Sequence, residues 1–392
     1  MARSLSGLWL KNLRSIGKAQ RAQERLLKRL LPKLARSPVR AKSPALKSAR
    51  PVARKVSRTN APTRSPPIRK PAATLAQAGT WQKGYSSGTP PVGSAAPTAR
   101  RLLYWLYLPP LPPGEPDAPL PLLVMLHGCQ QSATDFATAT RMNRLAERKG
   151  FAVLYPQQSA AGDAHRCWHW YKRAVQRGEG EVQTIAALVQ QVQQRHKLDT
   201  RRTYAAGLSA GAALATLLAL RHPELIAAVG LHSAPVFGTV DSSLSAYRTM
   251  QRGAGQAHVG VALAAAQTTL RTLGLPAIVI QGERDPVVRR INAAQLTQQL
   301  QVVNAGALTR PEPTRRTYPA RATGRSPRHA WASTTYYAGR KPQLVLCEVA
   351  SLGHAWSGGD DSMKFSERSG PDASTMMWAF FARHRLAGGG NG

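Results

Sequence analysis

Apolar and polar positions follow two different regimes along this chain. Up to residue 34, Leu8, Leu10, Leu13, Ile16, Leu26, Leu27, Leu30, Leu31 and Leu34 recur at mixed three- and four-residue spacing among Lys and Arg. That stripe predicts a basic amphipathic helix over residues 1–36, of the kind that lies on an anionic surface or docks on a partner. Residues 37–98 are rich in Pro, Ala, Ser, Lys and Arg and poor in apolar side chains. Such a stretch buries too little to offset its ordering entropy, so it is expected to be a disordered linker. From residue 99 to about 388 short apolar runs alternate with longer segments of helical period. Strands are predicted at 101–108, 122–126, 151–155, 203–206, 227–231, 277–281 and 343–349. Helices are predicted at 135–149, 182–196, 210–222, 288–303 and 373–383, and residues 240–275 are expected to form a helical cap over a cleft. Apolar strands that alternate with helices predict an α/β fold, a mostly parallel sheet covered on both faces. In such sheets ligands bind at the carboxyl ends of the strands.

Composition sharpens this division. The chain has 392 residues, 43% of them hydrophobic, and its mean hydropathy is −0.30. Its longest apolar runs are far short of a membrane span, which reads as a soluble protein with a sizeable core. The net charge of +35 is unevenly spread: residues 1–80 hold 20 Lys or Arg and one acid, Glu24. A polycation of that density predicts a polyanion, granule or anionic membrane surface as a partner of residues 1–80. No recognisable nucleic-acid fold accompanies it, so no specific nucleic acid is expected. Three cysteines, Cys129, Cys167 and Cys347, are too few for a disulfide scaffold and have no metal-ligand spacing. Lys11 interrupts the short apolar stretch at residues 5–10 and no cleavage site follows, which reads as cytoplasmic.

Four motifs fall just after predicted strands. Gly207-Leu208-Ser209-Ala210-Gly211 stands between a strand and an Ala-rich helix. A G-x-S-x-G in that context is a nucleophile elbow, with small flanking residues that let strand and helix approach. Gly282-Glu283-Arg284-Asp285 follows the next-but-one strand. A carboxylate there can accept an imidazole N–H and fix its tautomer; Asp285 is the candidate, with Glu283 and Asp360 as weaker rivals. Gly353-His354 follows the last strand, and His354 can take a proton from Ser209 and return it to a leaving group. The order Ser, Asp, His, each after a strand, is that of the α/β-hydrolases. His127-Gly128-Cys129 follows an early strand. Its Cys129 N–H, with the N–H of Ala210, is expected to form the oxyanion hole.

Taken in order, LHGC, CWHW, GLSAGA, QGERDPVV with Asn292, GHAWSGG and GPDAS resemble the poly(3-hydroxybutyrate) depolymerase family of esterases over residues 100–385. The resemblance implies an α/β-hydrolase domain with Ser209, Asp285 and His354 as its triad, acting on hydroxyalkanoate polymers or oligomers or on other small esters. It requires no cofactor and no metal. Feruloyl and acetylxylan esterases are relatives, so esters of those types are the alternative substrates; a polyanion-binding protein that works through its basic tail is the alternative of another class. The GERD loop departs from the family's common G-D-x-D at Glu283. Family members are often secreted, which sets an extracellular location against the cytoplasmic reading of the N-terminus. Cys129 and Cys167 lie in two motifs that flank the expected site. A disulfide between them would brace the oxyanion loop and leave Cys347 buried and free; two reduced cysteines are the other reading. Trp168, Trp170, Tyr171 and Trp356 lie near the same motifs. Their use as substrate-binding aromatic walls competes with plain core packing.

Overall fold

Runs such as Leu122–Leu126 (LLVML) and Ala228–His232 (AVGLH) have almost no polar position that could face water. They form stable strands only where a sheet is covered on both sides. A computed structural model of the chain describes residues 78–86, 101–110, 118–255, 258–265, 274–310, 312–321 and 328–387, all within one unit, Pro71–Gly392. The helix expected over residues 1–36, and the linker up to residue 77, lie outside the described residues.

The strands are β1 Thr80–Tyr85, β2 Leu103–Leu108, β3 Leu122–Leu126, β4 Ala152–Gln157, β5 Thr203–Leu208, β6 Ala228–His232, β7 Ala277–Gly282, β8 Thr314–Tyr318, β9 Trp331–Ala338 and β10 Lys341–Val349, with a small pair, β11 Trp356–Ser357 and β12 Ser366–Glu367. The large sheet has the order β1-β2-β4-β3-β5-β6-β7-β10-β9-β8. Its six central strands, β4 to β10, run parallel. The outer strands on both edges are antiparallel. The helices are α1 Ala133–Thr140, α2 Met142–Lys149, α3 Arg173–Gln176, α4 Glu181–Arg195, α5 Ala210–Arg221, α6 Ser243–Arg252, α7 His258–Ala265, α8 Ile291–Val303 and α9 Ala373–Phe381. Helices α4, α5 and α8 contribute to the core on one face of the sheet. Helices α1, α2 and α9 contribute to the core on the other. Helix α5 is buried from Ala210 to Leu220, which is why its sequence is apolar all the way round. This is the mostly parallel sheet, covered on both faces, that the strand and helix pattern predicts, and it is the α/β-hydrolase architecture that the family resemblance implies.

The structure corrects several boundaries. Residues 80–85 fall in the stretch read as linker, yet they form edge strand β1, because Trp81 stacks on Trp105 at 5.3 Å and packs edge-on against Tyr155 at 5.5 Å. The helix predicted over 135–149 is two helices, broken at Arg141 with φ 53°. The carbonyls that would continue it are used elsewhere: Ala139 O accepts from Asp360 N and Ser366 Oγ, and Thr140 O from Ser374 Oγ. Helix α8 starts at Ile291 rather than 288, because the N–H groups of Val287 and Val288 donate to Asp285 Oδ1. Strands β8 and β9 have no apolar run to announce them: β8 (TRRTY) is the exposed edge strand, and β9 (WASTTYYA), flanked by β10 and β8, is mostly half-buried. Two helices, α6 and α7, lie in the segment read as a cap, and both pack on α8.

Helix α9 closes the second core. Phe381 is fully buried and stacks on Tyr204 of β5 at 5.0 Å, and Tyr204 in turn donates to His384 O at 2.7 Å. Phe381→Ala is expected to destabilise the protein by about 3–5 kcal/mol through lost burial and a residual cavity. Denaturant unfolding measures this, and a change under about 1 kcal/mol would show that α9 is not part of the core.

Candidate active site

The chain order reverses between β3 and β5: β3 has β4 on one side and β5 on the other. At such a switch point the loops beyond the carboxyl ends of the two strands diverge and leave a crevice. The two loops here are those of His127-Gly128-Cys129 and Ser209.

Ser209 stands at the turn from β5 into α5 with φ 57° and ψ −121°, a backbone conformation that costs a side-chain-bearing residue of order 1–3 kcal/mol. Its surroundings hold it there. Ser209 N donates to His232 O at 2.9 Å, and its carbonyl accepts from Ala213 N at 3.0 Å. The two flanking glycines are required by contact. A Cβ on Gly207 would lie 2.5 Å from Gly211 C, and one on Gly211 would lie 2.1 Å from Leu126 O and 2.5 Å from His127 O. The start of α5 is therefore pressed against the end of β3, which brings the early loop beside the elbow. The ideal Cβ position of Gly128 is 3.4 Å from Leu208 O. The amide of Ala210 is at the first position of α5, where an N–H has no partner within the helix. Among the described residues none accepts a hydrogen bond from the amide of Ala210 or Cys129.

Asp285 and His354 come together from loops 69 residues apart, with His354 Nδ1 donating to Asp285 Oδ2 at 2.8 Å. Gly282 allows this: a Cβ there would be 2.4 Å from Leu352 O, so the β10 loop crosses directly over the end of β7. The Asp285 side chain has no exposed surface and that of His354 is 11% exposed. Burial pushes the Asp285 carboxyl up, but the hydrogen bond and charge of His354, with the Val288 and Val287 N–H groups, outweigh it and hold the carboxyl below its ordinary value. Of the two rivals, Glu283 is exposed and Asp360 pairs with Arg141 at 3.4 Å and with Ser362. Neither contacts His354.

His232, at the end of β6, is a residue the sequence motifs did not single out. Its carbonyl holds Ser209 N, and its ring Nε2 accepts from Ser357 N at 3.1 Å. One residue thus ties the Ser209 elbow to the segment that follows His354. Nε2 accepts a backbone N–H, so the proton belongs on Nδ1, which faces Ser233 Oγ at 3.2 Å. Burial pushes the ring down to about 3. Its position one residue beyond a predicted strand, between the Ser and Asp strands, is the only signal that marks it in the sequence.

The early loop is held by a ring of contacts. Cys129 and Cys167 form a disulfide, and Cys347 is free and buried. Gly128 N donates to Gln131 Oε1 at 2.9 Å and Gln130 N to His165 O at 2.6 Å. His127 Nδ1 donates to Gly128 O at 2.8 Å, and Nε2 accepts from Gln158 N at 3.1 Å. Burial pushes this ring down to about 4. Gln158 Nε2 donates to Glu181 Oε1, and Glu181 holds His169 through its backbone N–H at 2.7 Å and its ring at 2.8 Å. Asp163 then accepts from Cys167 N at 3.1 Å. Among the described residues no group of three or more His, Cys, Asp or Glu is arranged to hold a metal ion.

The expected aromatic walls are not walls. Trp168 and Trp356 have no exposed surface and Trp170 only 4%, so none of the three can line a substrate cleft. Each is a core side chain: Trp168 Nε1 donates to His127 O at 3.0 Å, while Trp356 stacks on His232 at 5.2 Å and donates to Ser374 Oγ at 3.1 Å. Trp168 supports the loop after β3, and Trp356 supports His232. Tyr171 alone of that group is partly exposed.

Comparison with known proteins identifies the family and the fold. The profile of the family described as "Esterase PHB depolymerase" matches residues 102–320. Poly(3-hydroxyalkanoate) depolymerase C of Paucimonas lemoignei is 33% identical over 144 residues, 36% of this chain and 34% of that protein. A probable acetylxylan esterase A of Aspergillus fumigatus is 31% identical over 124 residues, 31% of this chain and 33% of that protein. The matches thus span about a third of each relative's own length. An acetyl xylan esterase structure from Aspergillus awamori shares the fold, with a TM-score of 0.57 and 18% identity over 78% of this chain and 99% of that one.

The buried neutral rings set an acid limit. His127 and His232 titrate near 4 and 3 in the folded protein against an ordinary 6.5. As pH falls below 6.5 the unfolded chain binds protons that the folded chain refuses, so stability drops until both folded values are passed. The urea midpoint is expected to fall steadily from about pH 6.5 to about pH 4. A midpoint that stays level across that range would mean that the two rings are not held neutral.

Proposed function

The chain belongs to the esterase PHB depolymerase family, and from that membership we propose that it is a serine hydrolase that cleaves carboxylic ester bonds of hydroxyalkanoate chains through an acyl-enzyme. The observation that carries the reading is the 2.8 Å bond from His354 Nδ1 to a fully buried Asp285 carboxylate, on the same sheet edge as a serine held at a strained elbow. In this reading Ser209 Oγ attacks the ester carbonyl while His354 takes its proton through Nε2. Asp285 fixes the tautomer that leaves Nε2 free and stabilises the imidazolium that forms. The amides of Ala210 and Cys129 donate to the oxyanion of the tetrahedral intermediate. His354 then gives the proton to the departing alkoxide oxygen. Water repeats the sequence on the acyl-enzyme, releasing the acid and restoring Ser209. Similarity to an acetylxylan esterase makes acetylated sugars the second reading of the substrate.

Ser209→Ala is expected to reduce hydrolysis of nitrophenyl acetate and butyrate, and of 3-hydroxybutyrate oligomers, to background without loss of folding. Asp285→Asn is expected to lower kcat by about 10³–10⁴-fold, because the amide favours the wrong imidazole tautomer. Steady-state kinetics beside a thermal melt decide the matter; a folded Ser209→Ala protein with wild-type turnover removes the assignment. A panel that adds acetylated xylan separates the two substrate readings.

We also propose that the 20 Lys and Arg of residues 1–80 hold the enzyme on a polyanionic surface, either a polymer granule or an anionic membrane. A chain lacking residues 1–77 should keep its ester hydrolysis and lose salt-sensitive retention on anionic vesicles and granules. Unchanged retention would assign attachment to the catalytic domain instead.

A further inference from the structure

Four of the six large apolar side chains exposed among the described residues gather in one place: Leu244 at 57%, Tyr247 at 50%, Ile291 at 40% and Val287 at 39%. The first three line an open groove of about 860 Å³ between α6 and the start of α8. Four arginines, Arg248, Arg252, Arg289 and Arg290, share the lining, and no acid does. All four are exposed, and none takes part in an ion pair among the described residues, where the paired arginines are others. A groove lined by both exposed apolar side chains and arginines without counter-charge suits an amphiphilic anion.

The groove is clamped to the triad loop. Gln251 Nε2 donates to Pro286 O and Val287 O, each at 3.0 Å, and Arg289 N donates to Met250 O at 2.9 Å. Asp285 lies in the same loop, four residues before Arg289, a distance that even fully extended chain limits to about 14 Å. The groove therefore lies within the length of a short oligoester of the loop that holds Asp285. Neutral polyester and acetylated sugar give guanidinium groups no charge to pair with. A carboxylate does, and it matches their planar fork.

We propose that this groove takes the free carboxylate end of an oligoester, so that acid-ended hydroxyalkanoate oligomers are preferred over neutral esters of the same length. The proposal rests on the esterase reading of Ser209, Asp285 and His354, and it deepens that reading by naming the substrate class. Each cleavage of a polyester leaves an acid-ended chain, so the groove would suit the later, soluble stages of breakdown.

The test compares a linear 3-hydroxybutyrate trimer that has a free carboxylate with its methyl ester. Net charge of +35 attracts any anion, so a control must remove equal charge elsewhere; Arg144 and Arg148 on the exposed side of α2 serve. In the wild-type chain kcat/KM for the acid is expected to exceed that for the methyl ester by about 10-fold at low salt. In the Arg248→Gln/Arg290→Gln protein the ratio should fall towards one through KM, while the Arg144→Gln/Arg148→Gln protein should keep it. A wild-type ratio of one, or equal loss in both pairs of substitutions, overturns the groove. Calorimetric titration of both trimers into the Ser209→Ala protein separates this outcome from failure of the esterase reading, since no turnover is needed. Binding selective for the acid, and abolished by adding Arg248→Gln/Arg290→Gln, supports the groove even if the trimer is never hydrolysed. Equal binding of acid and methyl ester overturns it even if hydrolysis proceeds.

Discussion

The close approach of α5 to the end of β3 is the contact on which the site depends. There is no room for a side chain at Gly211, whose Cβ would sit 2.1 Å from Leu126 O, nor at Gly207, where it would meet the backbone of Gly211. With both side chains absent, the helix starts directly beside the loop after β3. The strained serine, the unpartnered amide at the first turn of α5 and the Gly128 backbone are then neighbours. Any larger residue at either position must push helix and strand apart, which separates Ser209 from the loop after β3.

Around that contact the protein uses buried polar groups as braces. His232 joins the serine elbow to the segment beyond His354, and His127 joins the early loop to Gln158. Both rings work as neutral two-ended hydrogen-bonding groups, one nitrogen donating and the other accepting, and burial keeps them uncharged. The Cys129–Cys167 bridge and the Glu181–His169 pair close the ring from the far side. Apolar packing supplies the bulk of the fold; these polar ties hold the loops at the strand ends, where a parallel sheet leaves its connections without ladder partners.

The central strands were legible in the sequence because burial on both faces makes them continuously apolar. The elbow was legible because Gly207, Ser209 and Gly211 meet a steric demand that few other residues satisfy. Strands β8 and β9 were not, since the exposed edge strand β8 and the half-buried β9 beside it use Thr, Ser, Arg and Tyr that read equally well as loop. Nor was the break at Arg141, which depends on Asp360, Ser366 and Ser374, more than 200 residues away, claiming the carbonyls of Ala139 and Thr140. The tryptophans misled for a related reason: large aromatic side chains near catalytic motifs suit a cleft wall and a core equally, and only their burial separates the two.

Local chemistry alone marked the α/β pattern, the G-x-S-x-G elbow at Ser209 and the glycine-bearing loop at Gly128, because each is written in a short run of residues whose spacing or small size meets a local demand. Tertiary structure decided which carboxylate meets the imidazole, which histidine braces the site, which tryptophans are buried and where four arginines gather beside exposed apolar side chains. Those outcomes depend on pairs of residues tens to hundreds of positions apart, and contact between them arises only when the sheet and its helices have closed around the core.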